Sequence, residues 1–298
     1  MYRNFKELMD HLATVTEKKT VAVAAAGDEE VLKCASEARK LGVANFVLLG
    51  NGEAIRSVLT ELGEDPAEWT IEETASDKAA AERAVALASE GKADAIMKGL
   101  LPTATFLRAL FNKEYGLVPP KTVVSQVTVT EYPGEDRMIL ITDCAINVAP
   151  EYAEKVSILN NAVSLAHRMG MECPKVACLA PVEVINEKMP ETLDAAALAK
   201  ASQRGQIRGC IVDGPLALDN ALSEEAAKVK NIGGEVAGHA DILLVPDLAA
   251  GNILDKSLRY FAHLSTGSAV IGARVPVIMT SRSDTAEGKL HAIALSVL

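Results

Sequence analysis

At 298 residues the chain exceeds what one small core needs and suits two medium domains. Its net charge of −10, from 30 basic and 40 acidic residues without a clustered basic run, argues against a nucleic-acid surface, which needs grouped Lys and Arg for the phosphate backbone. No apolar segment approaches the roughly 18 to 20 residues that cross a bilayer, and MYRNFKELMDHLATVTEKK (1–19) lacks an apolar signal core, so the expectation is a cytoplasmic protein with no membrane span.

Along the chain, short apolar runs alternate with alanine-rich helical stretches. The runs are VAVAAAG (21–27), ANFVLLG (44–50), DAIMKG (94–99), MILITD (138–143), KVACLA (175–180), GCIVDG (209–214), DILLVPD (241–247) and SAVIGA (268–273). Strands separated by helices predict βαβ units and a largely parallel sheet, and a core of 49% hydrophobic but only 4% aromatic residues fits helices packed on strands. The class is α/β. YGLVPPKTVVSQVTVTEYPGEDRMILITD (115–143) breaks this rhythm, with a Pro-Pro step followed by two β-rich runs joined at a Pro-Gly turn. A domain crossover is placed near Pro119. Near the end, a strand over 277–280 leads into a helix with Ala286, Leu290, Ile293 and Val297 on one stripe.

In open α/β sheets ligands bind beyond the carboxyl ends of the strands, so polar residues directly after apolar runs carry the most information. Five places qualify: Lys98 and Gly99 followed by Thr103, Thr105 and Arg108; Asp143 and Asn147; Asp213, Gly214, Pro215 and Asp219; Asp247, Gly251 and Asn252; and Ser281 with Arg282. Singly, an Asp or Ser at such a point is most often a helix cap worth about 1 kcal/mol, and a glycine serves turn geometry. Caps do not need cations beside them. Arg282 precedes a helix, where the dipole disfavours a positive charge by roughly 0.3 to 1 kcal/mol, and Lys98 and Arg108 are read at a helix start as well. Three cations so placed predict an anionic ligand, and both helix N-termini and guanidinium forks suit phosphate oxygens.

Other chemistries find less support. Cys34, Cys144, Cys173, Cys178 and Cys210 are odd in number and form no C-x-x-C pair, so they read as reduced thiols. The five histidines are scattered, and no metal site is expected. Neither a Walker A motif, nor a Gly-x-Gly-x-x-Gly fingerprint, nor a Gly-x-Ser-x-Gly elbow is present. Phosphate chemistry by positioning and charge, with a carboxylate as base, fits better than covalent catalysis.

These residues resemble the phosphate acyltransferase family, which moves an acyl group between coenzyme A and inorganic phosphate. DCAIN (143–147), VDGPLALDNA (212–221), VAGHADILLVPDLAAGN (236–252) and SRSDTAEGKLHAIAL (281–295) follow the family's motifs in order and spacing. MKGLLPTATFLRALFNKEYGL (97–117) and PVEVINEKMPETLDAAALAK (181–200) are similar to the butyryl branch of the family. The resemblance implies two α/β domains with mainly parallel sheets and an interdomain cleft, in an isocitrate/isopropylmalate dehydrogenase-like architecture usually found as dimers. The C-terminal strand and helix would then return to the first domain, giving 1–119 plus 274–298 and 120–273.

The resemblance also implies roles. Arg282 would bind phosphate, Ser281 would steady the developing charge, and Arg108 would be a second anion-binding arginine, with Lys98 and Ser125 as helpers. Asn147, Asp213, Asp247, Asn252 and Asp284 fall within the same motifs as substrate-binding positions. The acetyl enzymes of the family carry an aspartate seven residues after the serine as thiol base; here that position is Gly288, and Glu287 precedes it. Glu287, Asp143 and Asp284 are the alternatives for the base, although Asp284 and Glu287 also match an Asp-x-x-Glu capping box.

The implied reaction is reversible transfer from butanoyl-CoA to phosphate in a ternary complex, with coenzyme A as substrate and no metal or bound cofactor. A homo-oligomer, most simply a dimer, is expected, and in butanoate metabolism an acyl (butyrate) kinase would consume the product. The rivals are acetyl transfer, a metal- and nicotinamide-dependent decarboxylating dehydrogenase using Asp213, Asp219 and Asp247, and an inactive CoA-binding protein.

Overall fold

A computed structural model describes residues 1–280 and 284–298. In chain order the elements are α1 (Phe5–Thr14), β1 (Thr20–Ala24), α2 (Glu29–Lys40), β2 (Asn45–Gly50), α3 (Gly52–Glu61), β3 (Thr70–Glu73), α4 (Asp77–Ser89), β4 (Ala95–Lys98), α5 (Thr103–Leu110), β5 (Ser125–Glu131) and β6 (Met138–Thr142). There follow α6 (Tyr152–Arg168), β7 (Lys175–Leu179), α7 (Pro190–Gln203), β8 (Ile211–Leu216), α8 (Leu218–Leu222), α9 (Glu224–Val229), β9 (Ile242–Leu244), α10 (Leu248–Tyr260), β10 (Thr266–Ile271), β11 (Val277–Ile278) and α11 (Ala286–Ser296). They divide into two compact units. The first holds Phe5–Thr122 and Gly267–Leu298, and the second holds Met1–Asn4 and Val123–Thr266.

In the first unit the strand order is β3-β2-β1-β4-β11-β10. β1 runs parallel to β2 and β4, and its residues Val21, Ala22, Val23 and Ala24 are all fully buried. A continuous apolar strand of this kind is what a parallel sheet covered on both faces requires. Ile96, Met97, Phe106 and Leu110 are sealed in the same core, where truncating such a side chain to Ala costs about 2 to 5 kcal/mol. β11 lies parallel to β4, Val277 beside Ile96 and Ile278 beside Met97, and antiparallel to β10. It is two residues long, shorter than the predicted 277–280, because only Val277 and Ile278 have ladder partners.

In the second unit the order is β5-β6-β9-β7-β8. β5 and β6 form the antiparallel pair read from the Pro-Gly turn, and β6, β9, β7 and β8 run parallel. Ile139, Ile141, Leu179, Leu216, Val236, Leu243 and Val245 share one buried cluster beneath them.

Two local expectations need correction. Arg108 is in the last turn of the eight-residue α5, so it complements the helix dipole there instead of opposing it at the start. The cap of α11 is Thr285, whose hydroxyl accepts from the Gly288 N–H at 3.0 Å, so the helix is capped one residue later than an Asp284–Glu287 capping box would place it.

Candidate active site

The first unit brings Lys98 to the carboxyl end of β4, beside the end of β1. Gly99 makes that junction possible: its N–H donates to the Ala24 carbonyl at 2.8 Å, and a Cβ on residue 99 would meet the Ala25 carbonyl oxygen at 2.3 Å. Lys98 Nζ reaches the carbonyls of Gly99 (3.2 Å) and Leu101 (3.1 Å). The chain then starts α5 on Pro102, which supplies no side-chain cap. Among the described residues no acceptor meets the N–H groups of the exposed Thr103 and Ala104. A helix start left open in this way favours an anion.

Arg108, one and a half turns along α5, is exposed, and its guanidinium has no partner among the described residues. The register of β11 on β4 carries the chain away from the sheet beside Lys98. Ser281 and Arg282 lie outside the described residues. Beyond them, Asp284 is half-buried and Glu287 is exposed in the first turn of α11.

The second unit gathers another group around the end of β6. Asp143 is 3% exposed, and its carboxylate accepts five N–H bonds. Oδ1 takes the backbone N–H of Gln126 (3.0 Å), Ala145 (3.0 Å) and Ile146 (3.2 Å); Oδ2 takes the backbone N–H and side-chain amide of Asn147. That geometry makes Asp143 the anchor of the 143–147 loop. Asn147 Nδ2 also donates to the Val124 carbonyl at 2.9 Å, so its amide is spent on the same loop.

Ser125 is fully buried, and its hydroxyl oxygen accepts from Asn161 Nδ2 at 2.9 Å, leaving no surface for a ligand. On the other side, Asp247 caps α10 through the Ala250 N–H at 2.9 Å, and Asn252 Nδ2 donates to the Cys144 carbonyl at 3.3 Å. Ser125, Asp143, Asn147, Asp247 and Asn252 thus come together.

Asp213 and Asp219 do not join them. Asp213 lies within β8 and Asp219 just beyond it, three strand spacings or roughly 14 Å across the sheet from β6. Asp213 accepts from the neighbouring Gly214 N–H at 2.8 Å. Asp219 is paired with Lys230 at 2.9 Å, and Glu183 holds the same ammonium at 2.6 Å. The Lys230 hydrogen bonds hold both carboxyls below their ordinary range. Among the described residues no three acidic, histidine or cysteine side chains are grouped to hold a metal ion.

The four buried thiols are not activated. Cys34, Cys144, Cys178 and Cys210 are buried, and burial pushes each thiol up, to about 12 for Cys34 and about 11 for Cys210. A nucleophilic cysteine needs the opposite shift.

Sequence reading missed two members of this group. Asn161 lies in mid-helix and reaches both Ser125 and the Val123 carbonyl (2.9 Å), a link that exists only after α6 has packed on β5. Gln126 is adjacent to Ser125, but strand alternation puts it on the opposite face of β5.

Residues 70–297 match the family described as phosphate acetyl/butaryl transferase. The chain is 49% identical over 298 residues, 100% of its length, to a phosphate butyryltransferase of Clostridium acetobutylicum, 98% of which is covered. A branched-chain phosphotransacylase of Enterococcus faecalis V583 superposes with a TM-score of 0.82 at 33% identity, over 93% of this chain and 97% of that one. A 4-hydroxythreonine-4-phosphate dehydrogenase of Klebsiella pneumoniae shares the fold at TM-score 0.60 and 15% identity, over 95% and 98% of the two chains.

Proposed function

The chain belongs to the phosphate acetyl/butyryl transferase family, and we propose that it transfers a butanoyl group reversibly between coenzyme A and inorganic phosphate. The observation that carries this reading is the near-half identity, across the whole chain, to a phosphate butyryltransferase. A phosphate oxygen attacks the thioester carbonyl, a C–O bond forms, the C–S bond breaks, and the departing sulfur takes up the proton released from phosphate. In reverse, the CoA thiol gives its proton to a carboxylate and attacks butanoyl phosphate.

On the first unit, Arg282 and Arg108 hold phosphate, helped by Lys98 and the open N–H groups of α5. The guanidinium of Arg108, exposed and without a partner among the described residues, supports its part in this. Ser281 and backbone amides steady the oxyanion, as fixed donors do in acyl transfer. Glu287 is the base of the reverse direction: it is exposed, and a thiol near pKa 8.5 is only a few per cent thiolate at pH 7. Asp284, next to this segment, orients it. On the second unit, Asp143, with Asn147 and Asp247, shapes a wall for acyl-CoA to which Asn252 belongs, Ser125 is packed behind it, and Asp213 lies at its far end.

Coenzyme A enters as a substrate, and no resident metal or cofactor takes part. The chain works in the cytoplasm as a homo-oligomer. α10 buries only Gly251 and Asp255, while Ile253, Tyr260 and Phe261 are 67%, 61% and 86% exposed, an apolar face suited to a second copy. No described helix is long and apolar enough to cross a membrane. In butanoate metabolism an acyl kinase consumes the acyl phosphate.

Acetyl transfer is the second reading, since the family spans both acyl groups. The dehydrogenase reading has less support, because Asp219 and Asp247 are committed to Lys230 and to a helix cap. Thiol release from acetyl-, propanoyl-, butanoyl- and isobutanoyl-CoA, with and without phosphate and in EDTA, tests these assignments together. A phosphate-dependent peak at four carbons is expected. A peak at two carbons moves the chain to the acetyl reading, and no phosphate-dependent release sinks both.

A further inference from the structure

Gln126 combines two properties that rarely coexist. The residue is only 8% exposed, yet its side-chain amide has no hydrogen-bond partner among the described residues. Its backbone is satisfied: the N–H donates to Asp143 Oδ1, and the carbonyl accepts from the Thr142 hydroxyl at 3.1 Å. Neither amide atom is among those sealed from solvent without a partner. Both amide atoms therefore keep contact with solvent, so a side chain that is otherwise buried holds its donor and acceptor open to water or to a ligand.

Its place in the fold gives the unpaired amide a purpose. β5 is antiparallel to β6, so its first residues stand beside the carboxyl end of β6, the edge at which open α/β sheets bind ligands. Alternation puts Gln126 on the face of β5 that carries Thr128, whose hydroxyl donates to Asp255 of α10 at 3.0 Å. One turn earlier on α10 is Asn252, tied to the Cys144 carbonyl. Ser125, facing the other way, is sealed and occupied by Asn161.

We propose that Gln126 is a substrate-binding residue whose side chain pairs with an amide of the ligand. A primary amide presents a donor and an acceptor side by side. Phosphate oxygens would use only the donor, whereas a secondary amide offers the complementary N–H and C=O together. The pantetheine arm of an acyl-CoA carries such amides, so this inference rests on the proposed acyl-CoA reaction and names the part of that substrate which Gln126 recognises.

The test compares wild type with Gln126→Met, which keeps length but loses the amide, and Gln126→Glu, which keeps shape but loses the donor. Calorimetry gives Kd for CoA, steady-state kinetics give KM for butanoyl-CoA and for phosphate, and thermal denaturation gives Tm. The expected result is CoA affinity weakened about tenfold or more, the loss of a hydrogen-bonded pair. KM for phosphate should be unchanged, and Tm unchanged or raised in Gln126→Met. If Gln126→Met does not fold, Gln126→Glu carries the comparison. CoA affinity equal to wild type, or a phosphate KM that rises by the same factor, overturns the proposal. CoA binding that depends on Gln126 in a protein without phosphate-dependent thiol release would sink the proposed reaction and leave this assignment standing.

Discussion

Gly251 lies so close to Asp143 that a Cβ on residue 251 would stand 2.3 Å from the Asp143 carbonyl oxygen and 2.9 Å from Val245. Gly251→Ala therefore forces α10 away from the 143–147 loop and stretches the Asn252–Cys144 bond. A loss of about 1 to 3 kcal/mol in urea unfolding is expected, together with reduced thiol release. Wild-type stability and turnover in this variant would show that the contact yields at no cost.

Asp143 and Glu287 should separate cleanly. Asp143→Asn sets an amide against five N–H donors and should lower stability by about 2 to 4 kcal/mol. Glu287→Gln changes an exposed residue and should leave Tm alone while slowing the thiol-to-acyl-phosphate direction by about 10²-fold or more. Initial rates in both directions and one melting curve per variant decide it. Full reverse activity in Glu287→Gln would move the base elsewhere.

Among the described residues Arg108 has no partner to lose. Arg108→Ala should raise KM for phosphate about tenfold or more with Tm unchanged, as removal of a charge-assisted contact does. Arg282→Ala should cut kcat by roughly 10² to 10³, the scale of a lost transition-state contact. Phosphate kinetics matching wild type in both variants would remove the anion site from this end of the sheet.

Lys230 sets a pH-dependent contribution. It lowers the pKa of Asp219 and Glu183 from ordinary values of 3.8 and 4.5, so its stabilisation is present above those values and is lost as pH falls through the lowered ones. Lys230→Gln should differ from wild type in unfolding at pH 6 and converge with it only as the pH falls well below 3.8. A difference that is constant across this range would mean that the ion pairs contribute nothing.

Of the five cysteines only Cys173 is exposed. A thiol reagent should label one site in the native protein and five after denaturation, and labelling of Cys173 should leave phosphate-dependent thiol release intact. Inactivation in step with labelling would argue for a thiol in the reaction.

What could be read in advance followed the strength of the local signal. β1, β6 and β9 were legible because both faces are covered and the runs are apolar without interruption. β3, with sequence TIEE, was missed: it is an edge strand with exposed ends, and its Glu72 pairs with Arg83 at 2.7 Å. Arg108 was misplaced because the first residue of α5 is fixed by where the chain crosses Ala24 and Ala25, which a sequence does not display. The gathering of Asp143, Asn147, Asp247 and Asn252 was legible as strand-end chemistry. Which of Ser125 and Gln126 is sealed was not, since alternation names two faces without saying which element covers each.

The position of β11 has a consequence for the order of synthesis. This two-residue strand lies between β4 and β10, yet it is made long after β4. Residues 123–266, nearly all of the second unit, emerge from the ribosome in the interval. At about 5 to 20 residues per second, that delay is on the order of ten seconds. Throughout it the first unit lacks its closing strands, and β4 presents an unpaired edge of the kind that invites pairing with other nascent chains. The continuous second unit can finish folding first, whereas the unit bearing Lys98 and Arg108 waits for the last thirty or so residues of the chain.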